Sequence, residues 1–334
     1  MSQGPLYLVG AGAVGSVLAA GLIRAGRPVT LIIRPESEKA YSKLPGLRIS
    51  HSHGQADWVI PTPAYQTHYR MPKEAVVLVA VKHRDLESVM QELAAQEQPP
   101  QHIVCCLNGV SAARALAQRF PDSQVSALTV MFNAQLLDRL HAQITTAPEL
   151  LLQTRSADVS AMLQSSDWEL KEAADASVAW GKLLINLANA LCALTHTTFK
   201  DLLTEPALRT SFVLTLDEAT TLLRQSKLRY QLPIPLPYWA YRWVLLHGGP
   251  VAWQAAKRRN GLTDQSYPSM VADLSQGKIT EVQELNGEIV GLAHTMGLQA
   301  PVNQRICELV EARTTDPQLP RLSAEQLLDQ LRRA

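Results

Sequence analysis

Lys182, Asn186 and Asn189 stand four and then three residues apart inside WGKLLINLANAL, residues 180–191. On a helix those steps bring all three to one face. An ammonium and two amides in line can donate hydrogen bonds to the oxygens of a ligand, and the ammonium can also surrender a proton. The rest of the stretch, Leu183, Leu184, Ile185, Leu187 and Leu191, is apolar nearly all round, the composition of a buried helix. A buried amine or amide left unpaired costs about 1–3 kcal/mol or more. Two readings therefore stand side by side. The stripe is solvated, with Lys182 reaching into water, or it meets a ligand that supplies the missing oxygens.

A second set of chemistry-bearing residues opens the chain. GAGAVG, comprising Gly10, Ala11, Gly12, Ala13, Val14 and Gly15, follows the apolar run PLYLV and precedes a helical pattern. A glycine-rich turn between a strand and a helix suits a dinucleotide. Gly10 permits the tight turn, Gly12 admits the pyrophosphate to the backbone, and Gly15 lets helix and strand pack closely. The next strand ends Ile32-Ile33-Arg34-Pro35, with no acid to take a ribose 2′-hydroxyl. Arg34 can grip a 2′-phosphate in a bidentate fork, which favours NADP(H). The alternative is an ordinary surface pair with Glu36 or Glu38. Lys82 directly follows the run VVLVAV, and Asn108-Gly109 follows IVCCL. Ligands of open α/β sheets bind beyond the carboxyl ends of the strands. Both positions also suit a plain solvated strand end or a turn.

The elements that must carry these residues alternate. Strands are expected at 5–9, 28–33, 76–81, 103–107 and 124–130, with helices at about 15–25, 85–95 and 111–119. That order gives an α/β domain with a doubly wound parallel sheet of Rossmann type. From about residue 165 the pattern turns helical: 168–200, 205–228, 238–259, 267–275, 280–296, 301–313 and 323–333. The expected division is a dinucleotide-binding domain over 1–168 and a mostly α-helical substrate-binding domain over 169–334. The length of 334 residues and the 46% hydrophobic and 18% charged composition suit two soluble domains.

Lys and Arg total 31 against 30 Asp and Glu, a balance with no electrostatic footprint for nucleic acid or an anionic membrane. Lys257-Arg258-Arg259 reads as a solvated helix end. The four cysteines show no CxxC spacing, and Cys105-Cys106 lies in an apolar run, as small buried thiols would. Reduced cysteines suit a cytoplasmic location. No metal site is expected. The first 26 residues lack the basic start of a signal peptide, and no uncharged apolar run reaches 18 residues.

Taken together, these residues resemble the ketopantoate reductase (2-dehydropantoate 2-reductase) family. The resemblance runs from GxGxxG through Arg34, Lys82 and Asn108-Gly109 to Trp180, Lys182, Leu183 and Asn186. It is strongest in PSMVADLSQGKITEVQELNG, 268–287, with Ser269-Met270, Asp273, Lys278, Thr280-Glu281 and Asn286-Gly287 in the family's order. It implies an oxidoreductase that uses NADPH to reduce the C2 ketone of a 2-oxo acid, ketopantoate first among them. It also implies roles. Lys182 is the general acid and Glu281 engages its ammonium or the new hydroxyl. Asn186 and Ser269 hold substrate oxygens, Asn108 lies between nicotinamide and substrate, and Lys82 lies near the cofactor ribose. The stripe then becomes the substrate face of a helix lining an interdomain cleft. Residue by residue, plainer readings remain: Glu281 as an acid in a helix's first turn, Ser269 as a helix N-terminal residue. A homodimer is compatible with the family. The alternative within the class is the same hydride transfer to a different oxo acid or an imine, and a non-catalytic NADPH-binding sensor is the reading of another class.

Four departures stand out. The family's second Asn, eight residues after the Lys, is Ala190 here, with Asn189 one earlier. Position +7 lies about 20° to one side of Lys182 and +8 about 80° to the other, so Asn189 keeps the face but changes its aim. His83-Arg84-Asp85 replaces the usual small residue, aromatic and Gln. Residues 129–147 lack the customary glycines. The aromatic- and Pro-rich segment 227–266 is a lid, a dimer surface or added core. Gly287 and Gly291 are expected to admit a close helix.

Overall fold

Leu6 and Leu8 face one side of the first strand, and Tyr7 and Val9 the other, as the two-residue period of a strand requires. Both sides are covered, so the central strands of this sheet, such as 6–9 and 76–79, read as unbroken apolar runs rather than alternations. The computed structural model describes residues 4–51, 56–146 and 148–334 and divides into two compact units, Met1–Asp175 and Ala176–Ala334.

The first unit runs β1 (Leu6–Val9), α1 (Ala13–Arg24), β2 (Val29–Ile32), α2 (Glu38–Tyr41), β3 (Leu47–His51), β4 (Trp58–Ile60), β5 (Tyr65–Gln66) and β6 (Val76–Val79). It continues with α3 (His83–Ala94), β7 (His102–Cys105), α4 (Ser111–Arg119), β8 (Gln124–Val130), β9 (Ala134–Asp138) and β10 (His141–Ile144). β11 (Glu149–Gln153), α5 (Ala157–Leu163) and β12 (Glu169–Glu172) close it. Eight strands form the main sheet in the order β12-β11-β8-β7-β6-β1-β2-β5. All neighbours are parallel except β8 and β11. The expected Rossmann-type architecture is present, with a mixed rather than wholly parallel sheet.

On one face of the main sheet α3 and α4 contribute Leu86, Val89, Leu93, Ala112 and Leu116 to the core. On the other, α1 is buried from Gly15 to Leu22. It also packs against a second sheet, β4-β3-β10-β9, whose Leu47, Ile49, Trp58 and Ala142 join the same core. None of those four strands is foreseen from the pattern, because each is short and the two local pairs, β3–β4 and β9–β10, become one sheet only where β3 meets the distant β10. β9 and β10 form a hairpin where the family usually carries glycines. Its turn puts Leu140 at φ 52°, a left-handed conformation that burial of its side chain stabilises.

The helix expected over 168–200 is not continuous. Glu169–Glu172 is β12, in parallel register with Glu149–Leu152 of β11. This strand moves the division between units from after residue 168 to after Asp175. The helical unit comprises α6 (Ser177–Asn186), α7 (Ala188–Thr195), α8 (Phe199–Thr204), α9 (Pro206–Gln225), α10 (Tyr238–His247) and α11 (Gly249–Asn260). It ends with α12 (Ser269–Ser275), α13 (Asn286–Thr295), α14 (Pro301–Thr315) and α15 (Ala324–Arg332). α6 and α7 are joined through Leu187, itself helical at φ −56° and ψ −25°, and the span Ser177–Thr195 is long and apolar enough to cross a membrane by composition alone; two-thirds of it is buried within the protein. The aromatic segment is two helices, broken at Gly248-Gly249, rather than one over 238–259. It is partly core: Tyr241, Leu245 and Trp253 are buried, while Trp239 and Trp243 are exposed. The four cysteines are free and buried. Burial pushes the Cys105 thiol up to about 11 and the Cys106 thiol well above its ordinary value, so neither is reactive.

α1 and the start of β12 meet at Gly21. A Cβ there would lie 2.1 Å from Cζ3 of Trp168, whose indole Nε1 donates to the Leu163 carbonyl at 2.9 Å. The ring is buried and fixed by that bond. Gly21→Ala is expected to destabilise the unit by about 1–3 kcal/mol in urea denaturation, despite the roughly 1 kcal/mol that alanine gains over glycine in a helix.

Candidate active site

The three glycines of the β1–α1 turn are required for different reasons. Gly10 has φ 100°, and a Cβ there would lie 2.6 Å from the Ala80 carbonyl oxygen. Gly15 has no room either: a Cβ would fall 1.9 Å from the Gly10 carbonyl oxygen and 3.0 Å from Leu8. Gly12 differs. Its φ is −78°, open to any residue, and a Cβ would meet nothing within 4 Å. The protein's own packing gives no reason for glycine at 12, and the space beside it lies at the N-terminus of α1, where unpaired amides and the helix dipole favour an anion. A dinucleotide pyrophosphate fits this turn, with Ala11, Ala13 and Val14 flanking it.

The other candidates of this unit lie at the same edge of the sheet. Val9, Ile32, Val79 and Cys105 are in register across β1, β2, β6 and β7. Gly10, Arg34, Lys82 and Asn108 follow those four strands at their carboxyl ends. Arg34 is exposed and pairs with neither Glu36 nor Glu38. Its Nη2 lies 3.0 Å from Oδ1 of Asp85, in the first turn of α3. Lys82 is the N-cap residue of α3. His83 joins two of the strand-end loops: its imidazole Nε2 donates to the Asn108 carbonyl at 2.7 Å. Gly109, at φ 79°, completes that turn. The sequence marks His83 and Asp85 only as departures from the family's pattern; their contacts are not foreseen, because the partners are 25 and 51 residues away and no local spacing points to them.

In the helical unit, Lys182, Ile185, Asn186 and Asn189 are half-buried, while Leu183, Leu184, Leu187, Ala188, Ala190 and Leu191 are buried. The polar stripe is thus a real face, and it continues from α6 across Leu187 into α7. Loss of water pulls the Lys182 ammonium down to about 8, against an opposing pull from the Glu281 carboxylate. Glu281 is not in a helical first turn. α13 begins only at Asn286, and residues 281–285 are irregular, so the helix expected over 280–296 loses its first turn and more. Ser269 is the first residue of α12, exposed, on a helix that packs against α7.

Two devices position Lys182 and Glu281, and neither is foreseen. Gly181 sits mid-helix beside Lys182, where a Cβ would lie 1.7 Å from the Gln231 carbonyl oxygen. The Gln231 amide in turn donates to the Ser177 carbonyl at 2.8 Å, so the aromatic segment crosses α6 backbone to backbone. A glycine inside an apolar helix is the signal that marks such a crossing. Past Glu281, buried Asn286 donates Nδ2 to Oδ1 of buried Asn303 at 3.0 Å. Asn303 Nδ2 donates to Glu218 Oε1 at 2.8 Å, and the Glu218 carboxylate accepts the Val302 and Asn303 amides at the start of α14. Asn286 is therefore an anchor. Gly287 makes room for the Gln283 side chain, and Gly291 faces open space, so the expected close helix at these glycines is absent. Among the described residues no cluster of His, Cys, Asp and Glu could hold a metal.

Residues 6–156 match the family model described as ketopantoate reductase PanE/ApbA, and residues 176–314 its C-terminal counterpart. A 2-dehydropantoate 2-reductase of Aquifex aeolicus (strain VF5) is 23% identical over 326 residues, spanning 92% of this chain and 96% of its own. One from Archaeoglobus fulgidus is 25% identical over 316 residues, spanning 91% and 96%. The fold is shared with the PanE/ApbA family ketopantoate reductase of Ralstonia eutropha JMP134, at a TM-score of 0.74 and 24% identity over 94% of this chain and 99% of that one. It is shared equally with a D-mandelate dehydrogenase solved with NADH and anilino(oxo)acetate, at 0.76 and 18% over 93% and 98%.

The glycines separate folding from ligand binding. Gly12→Ala is expected to leave stability within about 1 kcal/mol yet weaken NADPH binding at least tenfold in a fluorescence titration. Gly15→Ala is expected to lower the melting temperature, because backbone has to move to make room.

Proposed function

The chain belongs to the ketopantoate reductase family, and we propose that it reduces a 2-oxo acid to the 2-hydroxy acid with NADPH, with 2-dehydropantoate as the leading substrate. The observation that carries this reading is the Lys182 ammonium, lowered to about 8 by burial and opposed by Glu281. The nicotinamide, when bound, supplies hydride to C2 of the ketone. Negative charge then grows on the carbonyl oxygen, and a preorganised cation beside that oxygen lowers the barrier.

Lys182 fills that role as general acid. An ammonium at its ordinary value near 10.5 gives up a proton reluctantly, whereas one near 8 is still largely charged at neutral pH and donates more readily. Glu281 keeps the ammonium from being lost altogether to desolvation and restrains its position. Asn186 and Asn189, on the same helical face, are assigned to substrate oxygens, and Ser269 to the substrate carboxylate. In the other unit Gly10 to Gly15, Arg34 and Lys82 are assigned to the cofactor, and Asn108 to the nicotinamide end and the substrate. A bulkier aromatic oxo acid is the second substrate to try, since the chain shares its fold with a D-mandelate dehydrogenase.

The test is NADPH oxidation followed at 340 nm with 2-dehydropantoate, phenylglyoxylate and smaller 2-oxo acids. Lys182→Ala is expected to lower kcat by about 10²–10⁴-fold while NADPH affinity stays within threefold. Wild-type turnover by that variant would remove Lys182 from the chemistry. No turnover across the panel with NADPH still bound would point to a sensor.

The pH dependence follows from the same ammonium. Reduction requires it protonated, so kcat/KM for the oxo acid falls as pH rises through about 8. Stability moves the other way. The unfolded chain holds the proton up to about 10.5 and the folded chain only to about 8, so folding at neutral pH carries the cost of burying the charge. That cost is full below pH 8, fades between 8 and 10.5 and is absent above. Denaturation of wild type against Lys182→Met is expected to show wild type gaining relative stability across this window, by up to about 3 kcal/mol, with no relative change below it.

A further inference from the structure

We propose that Asp85 sets the choice between NADPH and NADH, by supplying from α3 the acid that β2 lacks at its tip. The inference rests on the reading of the glycine turn as the dinucleotide site. In that arrangement the end of the second strand lies by the adenosine ribose, where an acid accepts from a 2′-hydroxyl and an arginine takes a 2′-phosphate. Here the arginine is Arg34, and the structure already gives it a carboxylate: Asp85 Oδ1 lies 3.0 Å from Arg34 Nη2. Arg84 lies near the other oxygen of the same carboxylate, its Nε 3.9 Å from Asp85 Oδ2. The Tyr69 phenol feels both charges of the pair and, more strongly, the Glu92 carboxylate, so the cluster comprises two guanidinium groups, two carboxylates and a phenol.

The position of Asp85 is fixed by the backbone. It lies in the first turn of α3, its amide donating to the Lys82 carbonyl at 2.9 Å, where the helix dipole favours a negative charge. The Arg34 side chain is the mobile partner, 64% exposed, and an exposed pair of this kind is weak enough to exchange partners. A 2′-phosphate and the Asp85 carboxylate therefore compete for one guanidinium, and the two anions repel at close range. A 2′-hydroxyl has no such conflict: it donates to Asp85 while Arg34 stays paired. The arginine alone predicts strong selectivity for NADPH; the pair predicts that NADH is accepted too.

Direct titration of NADPH and NADH by their fluorescence, with no oxo acid present, reads this without catalysis. Wild type is expected to bind the two within tenfold of each other. Asp85→Asn, which keeps size and the helix start, is expected to raise the NADPH-to-NADH affinity ratio at least threefold, with NADPH tighter and NADH weaker. Arg34→Gln is expected to lower the same ratio, which shows that the arginine is the object of the competition. A ratio that rises less than threefold, or falls, in Asp85→Asn overturns the assignment while leaving the dinucleotide site intact. Binding of neither nucleotide by wild type overturns both.

Discussion

Taking the Lys182 ammonium out of bulk water costs free energy, and the helical unit is arranged around that cost. An opposite charge nearby favours the ammonium, and Glu281 supplies it. Desolvation still wins, since the ammonium ends below its ordinary value. The balance is useful only if neither group drifts. Lys182 is fixed because α6 cannot rotate: Gly181 lies under the Gln231 backbone, and no other residue fits there. Glu281 lies on irregular backbone, which is a poor support by itself. It is bracketed by buried Thr280 and Val282 and followed by Asn286, whose amide is tied through Asn303 to Glu218. Each member of that chain is buried or half-buried, so breaking one link leaves polar groups without partners and is costly.

The first unit solves a different problem, the close approach of a helix to a sheet edge where a large anion is to sit. α1 is covered by the main sheet on one side and by the small sheet on the other, which is why its buried stretch runs unbroken from Gly15 to Leu22. A helix so enclosed cannot move outward to accommodate a side chain at its first turn. Gly10 and Gly15 therefore serve the protein's own packing, whereas Gly12 serves whatever approaches from outside. The same enclosure explains Gly21 against Trp168 at the other end of the helix.

Five of the main sheet's eight strands, β1, β2, β6, β7 and β8, were legible because they are apolar runs alternating with strongly periodic helices; β5 and β11, short or half-exposed, were not. The glycine turn, Arg34, Lys82 and Asn108 could be placed from their position after apolar runs, since parallel strands bring all such ends to one edge. The small sheet was not legible: β3, β4, β9 and β10 have three to five residues each, and their pairing partners lie up to about ninety residues away. β12 read as helix because charged residues at an exposed sheet edge imitate the start of an amphipathic helix. In the site, Lys182 and its stripe were visible through a conflict between residue types, polar groups among apolar ones. Gly181, Glu218, Asn303 and His83 carried no such conflict. Their importance lies in contacts that close only when distant segments meet.

Those contacts also explain where this chain departs from its family's pattern. β1, β2, β6 and β7 are sealed on both faces, so a change within them disturbs a packed core. The turn that enters α3 is free of that constraint. His83 and Asp85 occupy it, and each reaches sideways along the sheet edge, one to the loop after β7 and the other to the tip of β2. Three loops that strand geometry merely places side by side are thereby joined through side chains. Replacing a small residue and a Gln at these two positions alters no element of the fold. It does change which groups at the sheet edge are already engaged before a ligand arrives, and a ligand that must displace a partner binds differently from one that need not.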